Sequence, residues 1–312
     1  MTIKHLVIAG GGALGLRYLG ALEKLNIDGF WNMEDITSIY ATSVGSIIGA
    51  FICLKYNWDV LKQYIVERPW HDAFKLSGQQ LFDSYHKKGL YDKKLAEIIF
   101  KPLLKAKDLS VNITLKELYD VSKINLHLFT FNINKFETVE LSHITYPDLE
   151  LLQAITMSCS IPGVFMPTIM GEDCFIDGGI MYNFPINFCL RDHADQTEIL
   201  GINCCFNNDA NNNVSVTEDS TLLEYIMCIT LNSMKYISSS IQQSSIDNAV
   251  KCHATRNPIS LDIITQSVVS RDFRNDWIKQ GEEDAISFLL SIATQNNQLN
   301  NAVTELYSKI ET

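Results

Sequence analysis

Between His5 and Leu22 the chain reads HLVIAGGGALGLRYLGAL: a short apolar run, three consecutive glycines, and an amphipathic pattern that begins at Gly15. A strand that turns through glycines into a helix commits a chain to layered α/β architecture, because the helix must cover the sheet its strand belongs to. Strand-like residues 36–41 and a helical pattern from 44 into the mid-50s repeat the unit, which predicts that the first two strands are parallel. Further on, NLHLFTFNI and ETVELS read as two strands joined through Asn134, Lys135 and Phe136. DLELLQAITMSC reads as a helix capped at Asp148 or by the Pro-Asp turn, CFIDGG as a strand entering a tight turn, and the nearly all-apolar TEILGINCCF as a central strand.

The expected architecture is a central, mostly parallel sheet flanked by helices, in a single domain over 1–312 with a core at about 5–206. Residues 58–121 carry several helical patterns and read as an insertion or cap. After the Asn-rich stretch NNDANNNVS, the portion from about 216 to 312 reads as helical, with one strand candidate at ISLDIIT.

Composition narrows the functions. With 46% hydrophobic and 20% charged residues the chain is an ordinary globular one, and its net charge of −11 argues against a nucleic-acid partner and against simple attraction to anionic lipid. A local basic or apolar patch remains open as a peripheral docking point on a membrane. The opening MTIKHLVIA is too short an apolar run for a signal peptide. The longest charge-free apolar stretch, IYATSVGSIIGAFICL, falls short of the roughly 18 residues that span a bilayer. Eight cysteines without a C-x-x-C pair fit reduced thiols in a cytoplasmic protein. Acidic residues are scattered without calcium-ligand spacing, so neither metal nor cofactor is expected.

Gly10, Gly12 and Gly15 literally spell the G-x-G-x-x-G of a dinucleotide turn. That reading needs an acidic residue at the end of the next strand, where this chain has Thr42 and Ser43. Glu34 and Asp35 lie before that strand, at its wrong end. The phosphate-loop alternative needs Gly-Lys-Ser/Thr, and the chain has Ala13, Leu14 and Gly15. What does stand after the second strand is ATSVGS. Ser43, with Ala41 and Gly45 at minus and plus two, matches a nucleophile elbow except for the alanine where glycine is usual. Alone, the segment reads equally as a helix N-cap. A serine nucleophile creates an oxyanion that needs preorganised N–H donors, and Gly10, Gly11 and Gly12 would offer theirs beside it.

None of the seven histidines sits in a glycine-containing turn after a strand, although His193 in LRDHADQ is loop-like. Asp177, at the end of an apolar strand and followed by Gly178 and Gly179, is the acidic candidate for a base; its alternative is a structural Asx turn.

Together GGGALG, ATSVGS, SCSIPGVFMP and DGGIMYNFP, in this order, resemble the patatin-like phospholipase family from residue 5 to about 190. The resemblance implies an α/β acyl hydrolase with a Ser-Asp dyad. Ser43 would then be the nucleophile, Asp177 its base, and Gly10, Gly11 and Gly12 the oxyanion loop, supported by Gly15, Ala41, Gly45, Gly178 and Gly179. The segment Ser160 to Phe165 with Pro167 matches a turn that borders the family's active site, and Asn183 and Pro185 fall where members often have them. Leu14 departs from the pattern, since many members carry Lys or Arg there; Arg17 is the nearest cation in the helix that follows.

The implied activity is metal-independent hydrolysis of carboxylic esters in phospholipids or other acyl lipids. The alternatives are a weak or inactive protein of the same fold that binds lipid or a partner, and an acyltransferase using the same serine.

Overall fold

The computed structural model describes residues 2–75, 77–206, 215–241, 244–254 and 256–310. His5–Ile8 (β1) and Ser38–Thr42 (β2) are buried at every position, as strands covered on both faces must be. They pair in parallel, as their sequence pattern requires. Asn125–Asn132 (β3) joins β2 in parallel and forms an antiparallel hairpin with Glu137–Leu141 (β4). Thr168–Met170 (β5) and Asp173–Asp177 (β6) are antiparallel to each other, and β6 is antiparallel to β3. Ile199–Phe206 (β7) lies between β1 and Ala249–Ala254 (β8), parallel to both. The sheet order is β5-β6-β3-β2-β1-β7-β8, with β4 also on β3.

The register on β3 creates an unusual junction. Phe129 faces Thr42 on one flank and Glu140 on the other, while Thr130 faces Asp177 and Val139. Since β4 runs continuously along one flank, β2 and β6 must share the other, meeting end to end across the step from Phe129 to Thr130.

Helices cover the sheet: Gly15–Ile27 (α1), Val44–Cys53 (α2), Trp58–Glu67 (α3), Gly78–Lys87 (α4), Lys93–Ala106 (α5), Leu115–Ser122 (α6), Leu151–Ser158 (α7), Ile186–Asp192 (α8), Leu222–Ser240 (α9), Leu261–Val269 (α10) and Arg271–Ile310 (α11). In the 58–121 region, α3, α5 and α6 send Leu61, Phe100, Leu104 and Leu118 into the main core. α1 and α11 cross at main-chain contact. A Cβ on Gly20 would lie 1.9 Å from the Ile278 carbonyl oxygen, and one on Gly281 1.9 Å from that of Arg17. At this crossing Arg17 donates from Nε and Nη2 to the Asp284 carboxylate, 2.9 Å each, and from Nη1 to Gln280 Oε1 at 2.8 Å.

Two local expectations are corrected. The cap of α7 is Glu150, without a side-chain bond, because Leu151 is where the helical hydrogen bonding begins. ISLDIIT is the start of α10, whose first turn is capped by the Ser260 hydroxyl, and the strand in this region is β8, AVKCHA, which completes the sheet beside β7. The C-terminal region is otherwise helical. Residues 207–214 of the Asn-rich stretch lie outside the described residues. All eight cysteines are free thiols, and no described helix is long and apolar enough to cross a membrane.

Candidate active site

Ser43 sits where β2 becomes α2, with φ 53° and ψ −126°. A non-glycine residue adopts such angles only when its surroundings hold it there. Here the Ser43 N–H donates to Ser158 Oγ (2.9 Å), whose hydroxyl donates to the Phe129 carbonyl (2.7 Å). The Ser43 carbonyl accepts from the Ser46 N–H at 2.8 Å. A Cβ on Gly45 would lie 2.4 Å from the Ile8 carbonyl oxygen, so glycine is obligatory where α2 crosses the end of β1. At the other elbow position the Ala41 methyl is fully buried, and on the facing turn of α2 a Cβ at Gly49 would lie 3.0 Å from Leu126 and 3.1 Å from Ile39 side-chain carbons.

The glycine loop lies directly against this turn. A Cβ on Gly10 would stand 3.0 Å from that of Ser43, and one on Gly15 2.4 Å from a methyl of Val44. Gly10 and Asn183 clamp each other. The Gly10 N–H donates to the Asn183 carbonyl (3.0 Å), and Asn183 Nδ2 donates back to the Gly10 carbonyl (3.2 Å). This takes Gly10 out of the expected donor set. The N–H groups of Gly11 and Gly12 have no partner among the described residues, and Gly12, at φ +54°, holds a conformation suited to glycine. The N–H of Val44, in the first turn of α2, is likewise uncommitted.

Asp177 ends β6 and is 1% exposed. Its Oδ1 accepts the Gly179 N–H at 2.7 Å, while Oδ2 has no hydrogen-bond partner among the described residues. Burial pushes its pKa up to about 6, and the adjacent Ser43 hydroxyl and the Gly179 N–H offset part of that rise. Gly178 is fixed by closeness to β3: a Cβ there would be 2.2 Å from the Phe129 carbonyl oxygen. Ser160 Oγ donates to Thr156 and Met166 carbonyls, and the Ser160 carbonyl accepts the Asp177 N–H at 2.9 Å. The SCSIPG turn is thereby tied to the base candidate.

The junction on β3 therefore brings Ser43 and Asp177 together. Two residues that sequence reasoning did not single out also border the pair. One is Ser158, the clamp on the serine's backbone. The other is Cys159, whose Sγ is 3.5 Å from Ser46 Oγ and whose thiol burial pushes up to about 12, with the Asp177 charge adding to the rise. Both belong to the SCSIPG segment, so the signal was adjacency to a recognised turn.

The other candidates lie elsewhere. His193 stacks on His5 at 3.6 Å and lies near Ser38, at the opposite end of β2 from Ser43. Arg17 is committed to Asp284, and Leu14 is fully buried beneath Gly11, so neither supplies a cation to the glycine loop. Among the described residues no group of three or more side chains could hold a metal ion.

Ser43 opens onto a cavity of about 250 Å³ walled by Leu16, Ile47, Phe51, Trp70, Phe74 and Tyr91 among others. The Arg274 guanidinium also borders it, but donates to the carbonyls of Val66, Ser267 and Val268, which leaves the wall apolar.

The chain is similar to known proteins in sequence and in fold. The chain is 27% identical to uncharacterized protein R571 of Acanthamoeba polyphaga mimivirus over 80% of its own length and 82% of the relative's. It is 30% identical to the probable lipid hydrolase 463L of invertebrate iridescent virus 6 over 61% of this chain and 64% of that one. Its fold is similar to that of VipD from Legionella pneumophila, with a TM-score of 0.54 at 16% identity, covering 93% of this chain and 67% of VipD. The family model for patatin-like phospholipase matches residues 6–190. That span takes in the glycine loop, the Ser43 elbow and the Asp177 turn, and the chain belongs to the patatin-like phospholipase family.

Proposed function

We propose that the protein is a metal-independent lipid acyl hydrolase working through a Ser43-Asp177 dyad. The observation that carries this reading is the meeting of β2 and β6 on β3, which sets a strained serine beside a buried carboxylate with one oxygen unpaired. Ser43 Oγ attacks the ester carbonyl as its proton passes to Asp177. The negative charge on the carbonyl oxygen is met by the N–H groups of Gly11, Gly12 and Val44. The alcohol portion of the lipid leaves with the proton from Asp177. The carboxylate then takes a proton from water as water attacks the acyl-serine, and that proton passes to Ser43 Oγ as the C–Oγ bond breaks and the fatty acid departs. The apolar cavity supplies a place for the acyl chain. The family and the named lipid hydrolase among the relatives support the substrate class.

The test is fatty-acid release from phospholipid vesicles in the presence of a chelator. Ser43→Ala and Asp177→Asn are each expected to lower kcat by at least about a thousandfold, and full activity in Ser43→Ala would sink the assignment. The uncharged Leu14 and the engaged Arg17 favour one second reading, a slow or silent lipid-binding protein. Covalent labelling of Ser43 by a fluorophosphonate separates them: a hydrolase is labelled, a silent protein is not.

A further inference from the structure

Helix α4 has no place in the chemistry above and buries none of its described side chains. Phe82 and Tyr85 are 80% and 82% exposed, the most exposed large hydrophobics among the described residues. Spaced three apart, they project from one face of the helix. Solvent exposure of two aromatic rings on one helical turn is unfavourable unless something covers them.

The segment is anchored firmly at its base. The Tyr91 hydroxyl donates to the Phe74 carbonyl at 3.0 Å, closing the two ends of the excursion, and both residues wall the cavity that Ser43 opens onto. The N–H groups of Leu90 and Tyr91 both donate to the Val164 carbonyl, at 2.9 and 3.0 Å. Gly89 is pressed so closely against the Phe165 backbone that a Cβ would lie 2.4 Å from its carbonyl carbon. A ligand on α4 is thus coupled to the cavity wall by a short, hydrogen-bonded stem.

Charge identifies the occupant. Residues 75–94 contain five lysines against two aspartates, in a chain whose net charge is −11; Lys75, Lys87 and Lys93 pair at the surface with Asp72, Asp83 and Glu150, and Lys88 and Lys94 have no ion pair among the described residues. His86, Lys87 and Lys88 are exposed beside the aromatic pair. By contrast α9, which also exposes Leu222, Tyr225 and Ile229, is approached through Glu218 and Asp219 and carries Glu224 in its first turn. An amphipathic helix with projecting aromatics and adjoining lysines has the chemistry of an element that lies in the surface of an anionic bilayer.

We propose that α4 docks the protein on anionic lipid surfaces, inserting Phe82 and Tyr85 among the acyl chains while Lys87 and Lys88 meet the headgroups. This gives the site of the proposed hydrolase its partner, an anionic membrane, and rests on that reading only for its consequence in catalysis.

Binding is measured by cosedimentation of Ser43→Ala protein with vesicles of phosphatidylcholine, with and without phosphatidylserine, at low and high salt. The protein should bind the phosphatidylserine vesicles and release them at high salt. The pair Phe82→Ser with Tyr85→Ser, and separately Lys87→Glu with Lys88→Glu, should each weaken binding by about tenfold or more. In the serine-intact protein, the aromatic pair of changes should slow hydrolysis of vesicle lipid and leave the rate of hydrolysis of a soluble short-chain ester unchanged, with an unchanged melting temperature. Unaltered vesicle binding by the aromatic variant overturns the proposal. So does absence of binding by the parent, or a dimer that the aromatic changes dissociate. Failure of the hydrolase reading looks different: vesicle binding persists while neither ester is cleaved.

Discussion

Asp177 carries opposing demands. Its carboxyl is held nearly dry with a single N–H donor on Oδ1, which keeps its proton up to about pH 6 in the native state against 3.8 ordinarily. Between those values the native chain binds more protons than the unfolded one, so this group makes stability fall as pH rises from about 4 to 6. Above pH 6 the full cost, about 3 kcal/mol, is in place. Asp177→Asn keeps an acceptor for the Gly179 N–H but no buried charge. It should therefore raise the unfolding free energy at pH 7.5 by up to about 3 kcal/mol, with little gain at pH 4, in urea titrations at the two values. On the proposed mechanism the same protonation sets the rate, and kcat/KM should climb through an apparent pKa near 6. A limb near pH 4 would mean that the working base is a solvated carboxylate. At this scale the sequence was informative about identity and silent about contacts. Ser43 and Asp177 stood out by their turns, but nothing in GGGALG foretold that the Gly10 N–H would be taken by Asn183, which is distant in sequence.

Among the elements, the α1–α11 crossing is the least forgiving. Gly281 lets the two backbones touch, and a methyl there would strike the Arg17 carbonyl, which cannot rotate aside. Gly281→Ala should cost about 2–4 kcal/mol, measured by denaturant unfolding, whereas at Gly29, where nothing lies within 4 Å of an added Cβ, the loss should reflect only its positive φ. Arg17 joins the same interface, and its binding to Asp284 explains why the cation nearest the glycine loop does not turn toward it. The sequence announced β1, α1, β2 and α2 because covered parallel strands and their helices have unambiguous periods. It misled at ISLDIIT and AVKCHA. β-branched residues made the former look like a strand, yet Ser260 starts a helix there. The latter, at the sheet edge, buries only alternate residues and includes Lys251 and His253. Edge strands carry too little apolar signal to stand out from loop.

At the level of the whole molecule, the core runs through the sheet without separating the 58–121 helices from the rest, since Phe100, Leu104 and Leu118 share it with β1 and β2 residues. Cooperative unfolding should follow. The amides of β3, the strand flanked by β2, β4 and β6, should exchange with solvent only through global opening, and those of α4 should exchange first. Hydrogen exchange read residue by residue checks this ordering, and early exchange at Phe129 or Thr130 would contradict it.

The abutment of β2 and β6 gives that strand a further importance. Thr42 and Asp177 are matched to consecutive residues of β3, so the interval between the proposed nucleophile and the proposed base is referred to one covalent step, about 3.8 Å between Cα atoms. Breathing of the outer helices can alter who enters the cavity without altering that gauge. On the proposed mechanism, substitutions in the outer cavity wall, such as at Phe74, are expected to move KM before they move kcat.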